Sequence, residues 1–179
     1  MAWTSPMTFS SGAVLTAAQL NTHLRDNLNE TSPAKATTAG RIFVSTGANA
    51  IAERAIAGSG VVTAQTTTST SFTDLATAGP AVAVTTGTTA LVIISAGVAN
   101  DSAGGRTLAS YAVSGATTDA ADDTRSIIYD ESSAGRIIAA SRVEYKTGLT
   151  AGSNTFTMKY RVGGGTGTFQ FRHIAVIGL

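Results

Sequence analysis

Residues 61–179 read as a succession of short strand-like segments, each closed by a cluster of Gly, Ser or Asp, and this rhythm limits the fold more than any other feature of the chain. The clearest segment is 154–162, where Phe156, Met158, Tyr160 and Val162 alternate with Thr155, Thr157, Lys159 and Arg161. A period of two gives a strand one apolar face and one wetted face. The same alternation is weaker in Leu108, Ser110 and Ala112, and in Ile138, Ala140 and Arg142. Candidate strands are 61–65, 71–76, 81–85, 90–99, 106–114, 125–131, 136–146, 154–162 and 168–177. Regular spacing, abundant Thr and the lack of helical periodicity indicate an antiparallel β-sandwich or barrel, with a jelly roll as the leading choice.

The front of the chain is different. Thr16 is a good helix N-cap, and Gln19 three residues on completes a capping box. Leu15 and Leu20 stand where a hydrophobic staple would put them, and Leu20, Leu24 and Leu28 recur every four residues along one face. A helix this short is marginal alone, since isolated helices begin to hold at about 12–15 residues. Its leucines therefore need a partner surface. The helix is expected to stop near Glu30, because Pro33 biases Ser32 away from helical angles. Residues 1–13 form an extended arm whose Trp3, Pro6, Met7 and Phe9 are expected to dock. Residues 31–60 read as an Ala/Thr/Gly-rich linker, with a small hairpin around the break at 45–49. The expected domains are thus an arm and helix at 1–30, a linker at 31–60 and a sandwich at 61–179.

Charged residues make up 13% of the chain, about half the usual ~25%, and the net charge is +1. Basic and acidic residues are dispersed, so no nucleic acid partner and no anionic membrane surface is expected. The absence of cysteine excludes disulfides and thiolate metal sites. No apolar stretch approaches the ~18 residues of a membrane span, and the first residues do not form a signal peptide. A cytoplasmic site of synthesis and no membrane insertion are expected.

Chemistry is sparse. His23 and His173 have no second ligand at metal-binding spacing. Asp119, Asp122 and Asp123 cluster in a turn without the spacing of a calcium loop. The glycine run at 163–165 lacks the Lys-Ser/Thr of a phosphate loop and reads as a hairpin connection. No nucleophile elbow or Ser–His–Asp order is present. No catalytic residue, metal site or cofactor is therefore expected, and the chain is read as a non-enzyme. Tyr111, Tyr129, Tyr145 and Tyr160 are expected to pack in or edge the sheets, and Arg106, Arg125, Arg136, Arg142 and Arg161 to sit at solvated strand ends. In the last strand Phe169 and Phe171 alternate, as two residues of one face would, whereas 174–177 is apolar on both faces, which marks Ile174, Val176 and Leu179 as a subunit interface as well as a central strand.

Trp3, the run Val14-Leu15-Thr16-Ala17, Leu20-Asn21 and Arg25-Asp26-Asn27-Leu28 resemble the N-terminal segment of phage and prophage virion proteins of the minor tail or tail-fibre type. The stretch from Gly40 to Ala50 is similar to the repeats that follow in such proteins. The resemblance covers about the first third of the chain. The strand pattern of the remainder is similar in kind to the trimeric jelly-roll heads of phage fibres and of tumour-necrosis-factor-like or C1q-like domains. What the resemblance implies is a homotrimer in the virion, made in the bacterial host cytoplasm. It would attach to other virion proteins through residues 1–30, with Trp3, Phe9, Leu15, Leu20, Leu24 and Leu28 as its attachment and oligomerisation residues. A host-surface glycan or protein is the further partner implied. Fibre proteins tend to carry long shafts and this linker spans only about thirty residues, so a capsid decoration or head-fibre protein stands as the alternative.

Overall fold

The structure, a computed structural model, describes residues 3–179, which gather into two compact units divided between Ala55 and Ile56. The first unit carries the helical segments. Helix α1 spans Ala17–Leu20 and runs on as a π-helical stretch, Asn21–Asp26, before Asn27 and Leu28 close it in helical geometry. A single turn, α2 at Ser32–Lys35, follows. Pro33 does not exclude helix here, as it was expected to. It sits in the first turn, where its missing N–H is no loss. Strands β1 (Ile42–Gly47) and β2 (Ala50–Arg54) form the expected hairpin, with Asn49 in the left-handed region at φ 55°.

The second unit is a jelly roll. Its strands are β3 (Ile56–Val61), β4 (Gln65–Thr67), β5 (Ala81–Thr86), β6 (Ala90–Asn100), β7 (Arg106–Gly115), β8 (Ile127–Asp130), β9 (Ile138–Lys146), β10 (Gly152–Val162) and β11 (Gly167–Gly178). Sheet I has the order β3-β11-β6-β9, with β4 also on β11, and sheet II has the order β5-β10-β7-β8. With β4 left out as a side strand, the eight others run 1-8-3-6 in one sheet and 2-7-4-5 in the other, all pairs antiparallel, which is jelly-roll topology.

The core lies between the sheets. Phe156, Met158, Tyr160 and Val162 of β10 are fully buried, as their alternation requires, and meet Val92, Ile94 and Val98 of β6 with Phe169, Ile174 and Val176 of β11 in the interior. Tyr160 and Phe169 pack tilted at 4.8 Å between ring centres, an attractive aromatic geometry.

Four expectations need correction. The sandwich begins at Ile56, inside the expected linker, because Gly58, Ser59 and Gly60 carry no strand pattern yet pair with Ala175, Ile174 and His173. Residues 71–76 form no strand. They lie along β10 through one bridge, Thr73 to Tyr160, on the edge that β5 occupies only up to Thr157. The glycine run at 163–165 is not a hairpin, because β10 and β11 belong to different sheets and the loop carries the chain across. Finally, Phe169 and Phe171 do not share a face. Between Gln170 and His173 strand β11 has one residue more than β6, a bulge that puts Phe171 at φ 48° and turns Arg172 inward.

Candidate attachment site

Asn27 organises the first unit. Its side chain, almost wholly buried, accepts from the Thr4 N–H at 2.9 Å and donates to the Thr4 carbonyl at 2.9 Å, a two-bond clasp that ties the arm to the helix. The same Nδ2 donates to the His23 carbonyl at 3.2 Å, the acceptor that an α-helix would give to the Asn27 N–H. That N–H goes to Leu24 instead. The side-chain donor thus takes a ladder acceptor at the end of the π stretch, where the backbone tightens to an i→i−3 bond. At the other end Thr16 receives the Gln19 N–H at 3.2 Å while Gln19 Oε1 takes the Thr16 N–H at 2.9 Å, the capping box read from sequence. The Trp3 N–H donates to Asn49, so the arm is also bonded to the hairpin turn. Glu53 on β2 accepts from Thr37 and Thr38, bonds that hold its carboxyl below the usual range.

Between arm and helix lies an apolar groove of about 220 Å³, lined by Pro6, Met7, Phe9, Leu15, Leu20 and Leu24 among others. Leu15, Leu20 and Leu24 remain roughly half exposed beside it, Phe9 more so, and Leu28 and Trp3 are exposed as well. The arm thus lies against the helix without covering the leucine stripe.

The second unit distributes its polar residues otherwise than expected. Ile174 and Val176 cannot touch a partner subunit, because strand alternation sends them into the sandwich where both are fully buried. Phe171 and His173 are the exposed positions of that strand, while Ala175, Ile177 and, just beyond, Leu179 are half-buried. Arg125 is buried rather than solvated. It donates to Asp119 at 2.7 Å and to the Ala120 carbonyl, and lies over the Tyr111 ring. Lys146 reaches the same Asp119 oxygen at 2.6 Å, and the Arg125 bond, with help from Lys146, holds the Asp119 carboxyl below its ordinary value. Asp122 caps the 3₁₀ turn Asp123–Arg125 through the Thr124 N–H, and Asp123 pairs with Arg161. Each carboxylate of the acidic turn is therefore engaged in holding loops. Arg172 is fully buried, donating to Gln65 and to the Thr77 and Gly79 carbonyls, with its guanidinium over Tyr160. Tyr111 and Tyr160 are buried, which pushes both phenols well up, whereas Tyr145 is exposed. Arg106 pairs with Asp130 across the β7–β8 edge.

No helix among the described residues is long and apolar enough to cross a membrane, and no group of three or more metal-ligating side chains is found among them. No family model and no curated protein matches the chain. Among solved structures, it is similar to a chain in the structure of infectious bursal disease virus Gx strain, at 11% identity and a TM-score of 0.47, over 75% of this chain and 36% of that one. It is also similar to the dimeric latent PorU of Porphyromonas gingivalis, at 15% identity and a TM-score of 0.33, over 66% of this chain and 13% of that one. The chain thus spans well under half the length of either.

Proposed function

We propose that the chain is a non-enzymatic structural protein of a bacteriophage virion, homotrimeric, fixed to the particle by residues 1–30 and presenting its jelly roll as an exposed head. The observation that carries this reading is the leucine stripe. Leu20, Leu24 and Leu28 stay exposed on a helix already held by its own arm, beside an apolar groove, and such a surface is unfavourable in water until something covers it. The resemblance of this segment to virion-protein front ends supports a neighbouring virion protein as the cover, and two of the matching residues, Trp3 and Asn27, are those that bond the arm in place.

In a tail the head would act as an adhesin for a host-surface glycan or protein. A capsid decoration role is the second reading, favoured by the shortness of the segment between helix and sandwich, which holds only α2 and one two-stranded hairpin and so offers no shaft.

Replacing Leu20 and Leu24 by Asp is expected to abolish incorporation into particles while circular dichroism of the purified chain keeps its strand signal. Undiminished incorporation would remove the helix as the dock. Gold labelling of intact particles separates tail from capsid, and release of reducing sugar from host envelope polysaccharide by the purified chain would contradict the non-enzymatic assignment.

A further inference from the structure

On the outer side of sheet II, Arg161 of β10 ties together two loops that are distant in sequence. Its Nε donates to one oxygen of Asp123 at 2.9 Å and its Nη2 donates to the other, a bidentate pair that fixes the turn before β8. Its Nη1 reaches the Thr70 carbonyl at 3.5 Å, and the guanidinium lies 5.4 Å from the centre of the Phe72 ring, both in the segment before β5. Between the two loops lies an open cleft of about 510 Å³, lined by residues 70–72, 121–124 and Arg161. This is within the ~300–1,000 Å³ of small-molecule sites, and its walls are held apart at a set width before any ligand arrives.

The polar groups of the cleft are not all spent. In the wall before β5, Thr67 takes the Ser69 N–H and Ser69 donates its hydroxyl to the Ser71 carbonyl, so these two hydroxyls serve the loop itself. The hydroxyls of Thr70 and Ser71, which line the cleft, bond to nothing among the described residues. Across from them Asp122 gives Oδ1 to the N–H and hydroxyl of Thr124 and keeps Oδ2 free. The Thr124 bonds hold the Asp122 carboxyl below its ordinary range, so that oxygen is an ionised acceptor at neutral pH. Asp123 is half exposed, and each of its oxygens retains a lone pair beyond the bond from Arg161. Two other hollows of this unit lack such a set. The one beside Gly60 has no charged lining residue, and in the one beside Ser141 the charged residue, Arg142, is committed to the Thr124 carbonyl.

Free carboxylate acceptors, hydroxyls that both give and accept, and a half-buried aromatic ring thus stand around one cleft. A sugar ring has the matching chemistry: adjacent hydroxyls that donate to carboxylates and exchange bonds with Thr and Ser, on a frame with apolar C–H faces that suit an aromatic side chain. The sign of the site narrows the class. Two carboxylates line it against one guanidinium, while the nearby Lys159 and Arg106 are each paired, with Asp74 and Asp130. A surplus of negative charge disfavours uronic acids, sialic acids and phosphate-bearing polymers.

We propose that this cleft binds an uncharged glycan, one sugar ring seated against Phe72 with adjacent hydroxyls bonded to Asp122, Thr70 and Ser71. The proposal rests on the adhesin reading above and deepens it by naming the site and the class of sugar.

Backbone amide NMR of the full chain, titrated with the methyl glycosides of glucose, galactose, mannose and N-acetylglucosamine, tests it. At least one of them is expected to shift the amides of 70–72 and 121–124 saturably, with a dissociation constant of about 1 mM for a ligand of this size. The same sugar carrying a carboxylate at C6 is expected to bind at least about 10-fold more weakly. Asp122→Asn keeps the oxygen that caps Thr124 and turns the free one into a donor, and Thr70→Val removes a free hydroxyl. Each is expected to weaken binding by about 5-fold or more, whereas Thr155→Val, on the same sheet outside the cleft, leaves it unchanged. Saturable shifts centred elsewhere on the jelly roll, an affinity that survives both exchanges, or equal binding of the acidic sugar overturns this cleft and leaves the adhesin reading in place. The absence of a saturable shift with every one of these sugars also overturns the cleft. The adhesin reading falls separately, if gold labelling places the chain on the capsid.

Discussion

The two sheets of the jelly roll share one core and differ in what they turn to the outside. Sheet II carries threonines, with Lys159 paired to Asp74 and Arg161 to Asp123. Sheet I turns out Ile, Val, Leu, Tyr, Ala and Gly and sends the charges of β9 inward. In a chain with half the usual share of charged residues, their placement is informative: the few available charges hold loops on one side and leave the other side neutral. Burial inside the sandwich therefore says nothing about which outer face meets water.

If the sheets are equal in holding the fold and differ only in their covering, a change in the shared core must fell both together. Phe156→Ala removes a fully buried ring and is expected to cost about 3–5 kcal/mol, read as a shift of the denaturant midpoint in a single transition. Separate transitions for the two sheets would break the comparison at its base.

Next in size is Asp119, the carboxylate through which the inward charge of β9 is neutralised. Asp119→Asn removes the counter-charge of buried Arg125 and of Lys146 and leaves them at most a neutral amide oxygen. The expected loss is about 2 kcal/mol, less than for a fully buried pair because Asp119 is a third exposed. Its carboxyl is held below the ordinary value of 3.8, so the stabilisation is complete above that pH and disappears as the pH falls through the lowered value in the folded state. Acid titration of unfolding should show this loss in the native chain and a flatter profile in the Asn variant.

Asn27→Ala cuts the clasp in the first unit, and about 1 kcal/mol per lost hydrogen bond is expected there. Hydrogen exchange should then rise at Thr4 and Asn27 while the sandwich amides keep their protection. The smallest effect belongs to an exchange of character between the two outer faces. Val143→Thr and Thr157→Val should each change protomer stability by no more than about 0.5 kcal/mol, measured at concentrations too low for association. Equal and large effects would mean that the apolar face is needed for folding itself.

Sequence made the strands of sheet II and the core legible because β10 alternates without fault. It made the capping box legible because two residues, Thr16 and Gln19, write it. Strand β3 was hidden because Gly58, Ser59 and Gly60 resemble a linker, and only pairing with β11 makes them a strand. The bulge at Phe171 was hidden because an added residue changes phase without changing composition, so Arg172 looked exposed and Phe171 looked buried. In β9 the alternation of Ile138, Ala140 and Arg142 was visible, but periodicity names two faces without saying which one looks inward. The hydrogen bonds of Glu144 and Lys146 decide that, and their partners lie on other elements. The leucine stripe at 20, 24 and 28 was legible, whereas the clasp was not, because an Asn near a helix end reads as a residue for water.

The antiparallel pairing of β3 with β11 sets Ile56 opposite Ile177, while the loop 163–166 lies at the far end of β11, next to Asn100 and Thr67. Strand length separates the two ends by roughly 35 Å. Gly164 has open space where a side chain would stand. A peptide epitope grafted there would emerge at the opposite end of β11 from the pairing of Ile177 with Ile56, which makes this turn a natural position for insertion into the second unit.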